Sequence, residues 1–188
     1  MYSVKKMINY LVCVTLTTFT GSLVHAEEGV WRDSVTGLSW MRCSIGQKWT
    51  GKTCTGDPLK FTWQDSLDFV TSLNRDGGFA SRTDWRVPTI EELSTIRKCS
   101  NGWELETTGY KTTTLPNGQS VPERCADGSS RPTLNTAIFP NTKAEFYWSS
   151  SLVANNSVSA WFVYFGYGND SYGGKNRYNS VRLVRSSQ

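Results

Sequence analysis

Apolar positions along the chain switch between a two-residue and a helical period. Val30-Trp31 and Leu38-Ser39-Trp40-Met41 are short apolar runs on either side of Asp33-Ser34-Val35-Thr36-Gly37. This pattern predicts two strands and a tight turn, in which Asp33 accepts turn N–H groups and Gly37 takes positive φ. Residues 43–60, rich in Gly, Thr and Lys, predict a loop. From Thr62 the spacing is helical. Trp63, Ser66, Leu67, Val70 and Leu73 share one face, Thr62-Trp63-Gln64-Asp65 fits a helix cap, and Gly77-Gly78 follow a predicted end near Asn74. Pro88 biases Val87 toward extended backbone, and Thr89 can cap a second helix with Glu92 three residues on. Ile90, Leu93 and Ile96 then share a face to about Lys98. Residues 99–138 are polar and rich in Gly, Pro and Thr, a length of loop that ordinarily argues against a compact domain. Period-two runs follow at 146–148, 160–165 and 181–185. They read as antiparallel strands of one sheet, closed by pairing between the two ends of the chain. The class is α+β.

Residues 1–26 read as a secretory signal. Lys5 and Lys6 charge its start, residues 8–24 are apolar but diluted by threonines, and Val24-His25-Ala26 places small residues at the cleavage positions. An uncleaved anchor is the competing reading; a lipidated Cys13 is disfavoured by Val12 before it. Nothing later is apolar enough to span a bilayer, so residues 27–188 are expected to be exported as one domain, secreted, periplasmic or on the cell surface. The chain has 20 Lys+Arg against 16 Asp+Glu, a net +4 to which Lys5 and Lys6 contribute. That balance argues against nucleic acid and against a general membrane-surface binder. His25 is the only histidine, so removal of the signal excludes Ser-His and Cys-His mechanisms and metal binding through imidazole. Cys13 leaves as well. Cys43, Cys54, Cys99 and Cys125 permit three pairings, and sequence order favours Cys43–Cys54 with Cys99–Cys125. A four-thiolate zinc site competes, but neither pair has the Cys-x-x-Cys spacing. No cofactor or metal is expected.

One longer constellation is more specific. Asp84-Trp85-Arg86-Val87-Pro88-Thr89-Ile90-Glu91-Glu92-Leu93 is preceded by Trp31-x-Asp33-x-x-Thr36-Gly37-Leu38-x-Trp40. It is followed by Phe146-Tyr147-Trp148-Ser149-Ser150, Ala160-Trp161-Phe162-Val163 and Val181-Arg182-Leu183-Val184-Arg185. In that order, over nearly all of residues 27–188, the set resembles the Lcl C-terminal domain family, named for the end of a bacterial collagen-like adhesin. The resemblance implies a C-type-lectin-like variant, with two helices, a mainly antiparallel sheet and long disulfide-held loops, which removes the objection to residues 99–138. It also implies adhesion, with acidic polysaccharide or glycosaminoglycan as the ligand class. This chain carries no collagen-like segment. Formylglycine-generating oxidases share that fold and rely on reactive cysteines late in the chain, whereas here none follows Cys125.

Candidate chemistry is sparse. Asp84 and Arg86 read as a catalytic acid with its partner or, more simply, as a structural ion pair. Glu92 is explained as a cap and Glu91 as a favourable charge at a helix start. Adjacent helical carboxylates point about 100° apart and cannot flank one glycosidic bond. Pro116-Asn117, Pro140-Asn141 and Gly168-Asn169-Asp170 resemble parts of lectin calcium loops, without the acid before proline. The segment 166–180 differs in kind. Its Tyr, Asn, Ser and Gly are the mixture of an antibody paratope, although a floppy hairpin loop has the same composition. Tyr167, Tyr172 and Tyr178 are the candidate platforms, Lys175 and Arg177 the anion partners, and Asn169, Asp170 and Asn176 the directional hydrogen bonders. Beyond Asp170 the charges are Lys175, Arg177, Arg182 and Arg185, which predicts a locally positive surface, with Arg182 and Arg185 on opposite strand faces. The expected function is non-catalytic binding of an extracellular glycan or surface protein. A carboxylate-only enzyme of glycan or cell-envelope metabolism is one alternative, and a protein-binding part of a surface appendage the other. N-terminal sequencing of exported protein is expected to begin at Glu27; a full-length chain held in the inner membrane would contradict it.

Overall fold

A computed structural model describes residues 29–187 apart from 107–108 and 111. The expected signal, residues 1–26, lies outside the described residues. The chain begins with β1 (Val30–Asp33), β2 (Leu38–Met41), β3 (Lys48–Trp49) and β4 (Cys54–Thr55), followed by α1 (Trp63–Arg75) and α2 (Ile90–Thr95). Short strands come next: β5 (Leu105–Glu106), β6 (Gly109–Tyr110), β7 (Thr112–Thr114) and β8 (Ser120–Pro122). The long strands β9 (Phe146–Val153) and β10 (Asn156–Tyr164) precede β11 (Asn169–Gly174) and β12 (Val184–Ser186).

Local signals account for most element starts. The β1–β2 turn closes through Gly37 N to Asp33 O at 2.9 Å, Val35 N to Asp33 Oδ1 at 2.9 Å and Thr36 Oγ1 to Asp33 Oδ2 at 2.7 Å. Thr62 caps α1 by accepting from Asp65 N. At α2 the full capping box forms: Glu92 N donates to Thr89 Oγ1 and Thr89 N to Glu92 Oε2. The second helix is shorter than predicted, ending at Thr95 rather than Lys98. Lys98 N donates instead to Thr133 O at 2.9 Å, and Arg97 bridges to Leu134, so tertiary pairing takes these residues out of the helix.

The sheet arrangement also departs from expectation. The late strands do not form one sheet. β11, β10 and β9 make one antiparallel sheet in that order, while β12 joins β1 and β2 in another. Pairing of the chain's two ends therefore holds, but in a separate sheet, linked to β9 through the Tyr147–Ser180 bridge. The reason is two-sided burial, which leaves β9 and β10 apolar on both faces instead of alternating. Trp161, Val163, Phe165 and Tyr147 join Trp40, Ile90, Leu93 and Val184 in one core cluster. Ala160, Phe162 and Trp148 join Met41, Val70, Trp85, Val181 and Leu183 in the other. Indole N–H groups are spent on backbone: Trp63 on Ser149 O, Trp85 on Phe79 O and Trp148 on Phe61 O, each at 2.9 Å.

Cys43–Cys54 and Cys99–Cys125 are both disulfides, closing loops of 11 and 26 residues. Loops of that length contribute about 3 kcal/mol each through the unfolded chain. Arg182 is fully buried. Its Nη1 donates to Met41 O at 2.8 Å and to Arg42 O, and its Nη2 to Thr142 Oγ1 at 2.7 Å, while its guanidinium lies 4.6 Å from the Phe139 ring centroid. Arg182→Met keeps the apolar stem but strands those buried acceptors, at a cost of about 3 kcal/mol. Thermal unfolding monitored by circular dichroism is expected to fall by roughly 10 °C.

Candidate functional site

Of the eight candidate residues Asn169, Asp170 and Tyr172 lie on β11, whereas Tyr167 lies in the turn before it and Lys175, Asn176, Arg177 and Tyr178 follow it. β11 pairs along its length with β10: Trp161 opposes Tyr172, Val163 opposes Asp170 and Tyr164 opposes Asn169. The turn that precedes β11 is fixed by a close approach. Gly168 has φ +67°, and a Cβ there would sit 2.5 Å from Cys125 Sγ. Gly168 N donates to Tyr164 O at 2.8 Å, and Cys125 N to Tyr167 O at 2.9 Å, so the second disulfide loop is tied to the hairpin tip.

β11 separates the three tyrosines. Tyr167 lies in the turn before it and Tyr178 beyond its end, so about 17 Å of strand lies between the two groups. Tyr172 lies between them, about half exposed, with its ring edge-on to Trp161 at 5.4 Å. Near Tyr167 the cation is one that sequence reasoning missed. Exposed Arg131 places its guanidinium 4.1 Å from the Tyr167 ring centroid, and Tyr164 supports the same ring edge-on at 5.4 Å. Such a stack is worth about 0.5–1 kcal/mol at the surface. No local signal reveals it, because Arg131 is far from Tyr167 in sequence.

At the other end, Lys175 is tethered rather than free. Its Nζ lies 4.4 Å from the Trp63 ring centroid and donates to Ser157 O at 2.8 Å. A turn from Gly174 to Arg177, closed by Arg177 N to Gly174 O at 3.1 Å, presents Asn176, Arg177 and Tyr178 to solvent. Asn169 is half-buried.

Asp170 shares the face of β11 that carries Tyr172 but is buried, so it is not part of the exposed surface. It is buried on the α2 side of β11, accepts from Ser94 Oγ at 2.6 Å and pairs with Arg97 Nη1 at 2.9 Å. Arg97 in turn donates to Gly168 O at 2.9 Å and Pro122 O at 3.2 Å and covers Trp103, so the pair locks the hairpin turn to α2 and the loop beyond it. The predicted positive surface shrinks in the same way. Arg182 and Arg185 are both internal, stacked on Phe139 and on Trp85 respectively, which leaves Lys175, Arg177 and Arg131 outside. Asp84 and Arg86 are not paired with one another. Arg86 makes a two-pronged bond to Glu92, 2.6 Å at each oxygen, whereas Asp84 faces Arg185 at 3.8 Å. Burial resists the Glu92 charge, but the bonds from Arg86 and from Thr89 N–H hold its carboxyl below the usual range. Among the described residues no three of His, Cys, Asp and Glu gather as a metal cage would require.

Burial pushes the Asp170 carboxyl up to about 6, against the Arg97 charge and the Ser94 hydrogen bond. A carboxyl raised in this way favours folding most when protonated. Its contribution is complete below the unfolded value of about 3.9 and is lost as pH rises through about 6. Urea unfolding is expected to show wild type losing stability relative to Asp170→Asn between about pH 4 and 6, on the order of 3 kcal/mol in all, with a constant difference above that. A difference independent of pH would mean that Asp170 titrates normally.

Residues 29–185 match the family described as the Lcl C-terminal domain. No curated protein matches the chain.

Proposed function

The chain belongs to the Lcl C-terminal domain family, and from that premise we propose that it is an adhesin-like surface domain, exported after loss of residues 1–26, that binds acidic glycan without turning it over. On this reading its fold is a C-type-lectin-like variant, in which the long disulfide-held loops brace a binding hairpin. One observation carries the proposal: half-exposed Tyr172 stands on β11, with the stacked pair of exposed Tyr167 and Arg131 at the turn before the strand and exposed Arg177 and Tyr178 after it. The ring beneath each platform matters. Trp161 supports Tyr172 and Tyr164 supports Tyr167, so a sugar stacking on either tyrosine meets a surface already ordered. Rigid aromatics lose little entropy on binding, and guanidinium groups suit sulfate and carboxylate geometrically. A spacing of about 17 Å asks for an oligosaccharide of several rings rather than a monosaccharide.

Binding of a heparin-derived oligosaccharide by calorimetry tests this. Tyr172→Ala is expected to weaken affinity roughly tenfold, equivalent to about 1.4 kcal/mol, with the melting curve unchanged. Arg131→Ala with Arg177→Ala is expected to do the same and to flatten the salt dependence, because exposed charges are the ones that salt screens. Unchanged affinity in the double variant would remove the acidic-glycan assignment, and chain shortening of the oligosaccharide during the assay would remove the non-catalytic one.

A further inference from the structure

A second recess lies on different elements from the hairpin face. β2, the first disulfide loop, α1 and the segment around Phe79 enclose a cavity of about 140 Å³. Its floor is buried Met41 and Ile45, and its rim is the partly exposed Trp49, Phe69, Leu73 and Phe79. Lys175 sits over Trp63 at the start of α1, whereas Leu73 lies ten residues on, about 15 Å along the helix.

The rings around this cavity are held away from it. Trp49 lies under the Arg42 guanidinium, 4.7 Å from its centroid, and Arg42 is fastened to Ile138 O at 2.9 Å and Ala137 O at 3.2 Å. Phe79 is fixed edge-on against Trp85 at 5.8 Å, with its own carbonyl bound by the Trp85 indole N–H. Phe69 packs on Phe61 at 5.1 Å. Each ring that could swing in to fill the space therefore has a partner that holds it out. Protein interiors are otherwise packed to crystal density, so a void of this size kept open by contacts is a shaped feature.

Its chemistry is narrow. Among the described residues none that lines it is charged. Ser44 and Gln47 in the wall are already engaged, Ser44 Oγ with Tyr147 Oη at 2.9 Å and Gln47 with Ser44 N, Gly56 O and Asn141 O, and Trp49 adds an indole N–H to an otherwise apolar lining. A ligand finds no charged partner among the described residues there, and burying an unpaired charge is costly. An apolar protein cavity of about 150 Å³ takes a single benzene ring. Stacked and edge-on contacts with Trp49, Phe69 and Phe79 favour an aromatic ring over an alkyl group of equal size. From this geometry we infer that the cavity is a binding site for a neutral, single-ring aromatic small molecule. It goes beyond the glycan-binding reading and shares no residue with it.

Met41 supplies the test, because it lines the cavity and is the one methionine of the chain's 3 that lies within residues 27–188. Exported protein labelled with ¹³C at the methionine methyls is titrated with toluene and p-cresol. A ring entering the cavity is expected to move the Met41 methyl resonance upfield, saturating at or below about 1 mM. Benzoate, which brings a charge, is expected to bind at least tenfold more weakly. Leu73→Trp fills the recess and, with the circular dichroism of the wild type, abolishes the shift. A Met41 methyl unmoved by either neutral ligand overturns the site, whether or not Leu73→Trp folds. Benzoate binding as tightly as toluene overturns the ligand class. Glycan affinity, unaffected by either result, reports on the hairpin face separately.

Discussion

The late segment 181–185 and the early segment 38–44 can lie together only because a guanidinium occupies the space between them. Arg182 is enclosed on all sides and held by neutral oxygens, two from the backbone of β2 and its continuation and one each from Thr142 and Ser44, with Phe139 beneath. Burial lowers its pKa to about 10, so it stays protonated at neutral pH. The carbonyls of Met41 and Arg42 fall just where β2 stops pairing as a strand, and buried carbonyls need donors. Arg182 provides them from within, which lets the chain leave β2 toward the first disulfide without opening the core to water. Tyr147, through Ser44 at 2.9 Å, joins β9 to the same knot.

The rest of the molecule is organised around strands covered on both sides. α1 packs against β9 on one side of the sheet and α2 against β9 and β10. That arrangement leaves β11 as an edge of its sheet, and so exposed Tyr172 sits on a paired strand, with Tyr167 before it and Tyr178 after it. The same two-layer packing leaves the rim of α1 incompletely covered, which is where the apolar cavity lies.

Much of this could be read from the residues and some of it could not. Caps at Thr62 and Thr89, the Asp33 turn and the disulfide pairing were legible because each depends on neighbours within a short stretch. The apolar runs of β9 and β10 also revealed themselves, but their grouping into sheets did not, since the same alternation suits either sheet. Charge was the least legible property. Asp170, Arg182 and Arg185 lie in a polar-looking tail, yet each is internal, because Arg97, the β2 carbonyls and Trp85 respectively await them from distant parts of the chain. Arg131 went the other way: it lies in a long loop and finds Tyr167 only through the fold. Composition identifies a residue's chemistry, but the partner that buries or displays it is set by long-range contact.

One further consequence concerns force. β1 and β12 flank β2, both antiparallel to it and therefore parallel to each other. Val30, at the start of β1, lies opposite Met41, whereas Ser186, at the end of β12, lies opposite Leu38. A pull applied outward on these two ends runs along the strand axis in opposite directions. It loads the hydrogen bonds on both sides of β2 together, in shear, instead of peeling them one after another, and the Arg182 contacts beside them carry part of the same load. Tension applied across these two ends would therefore meet the three-stranded sheet in shear.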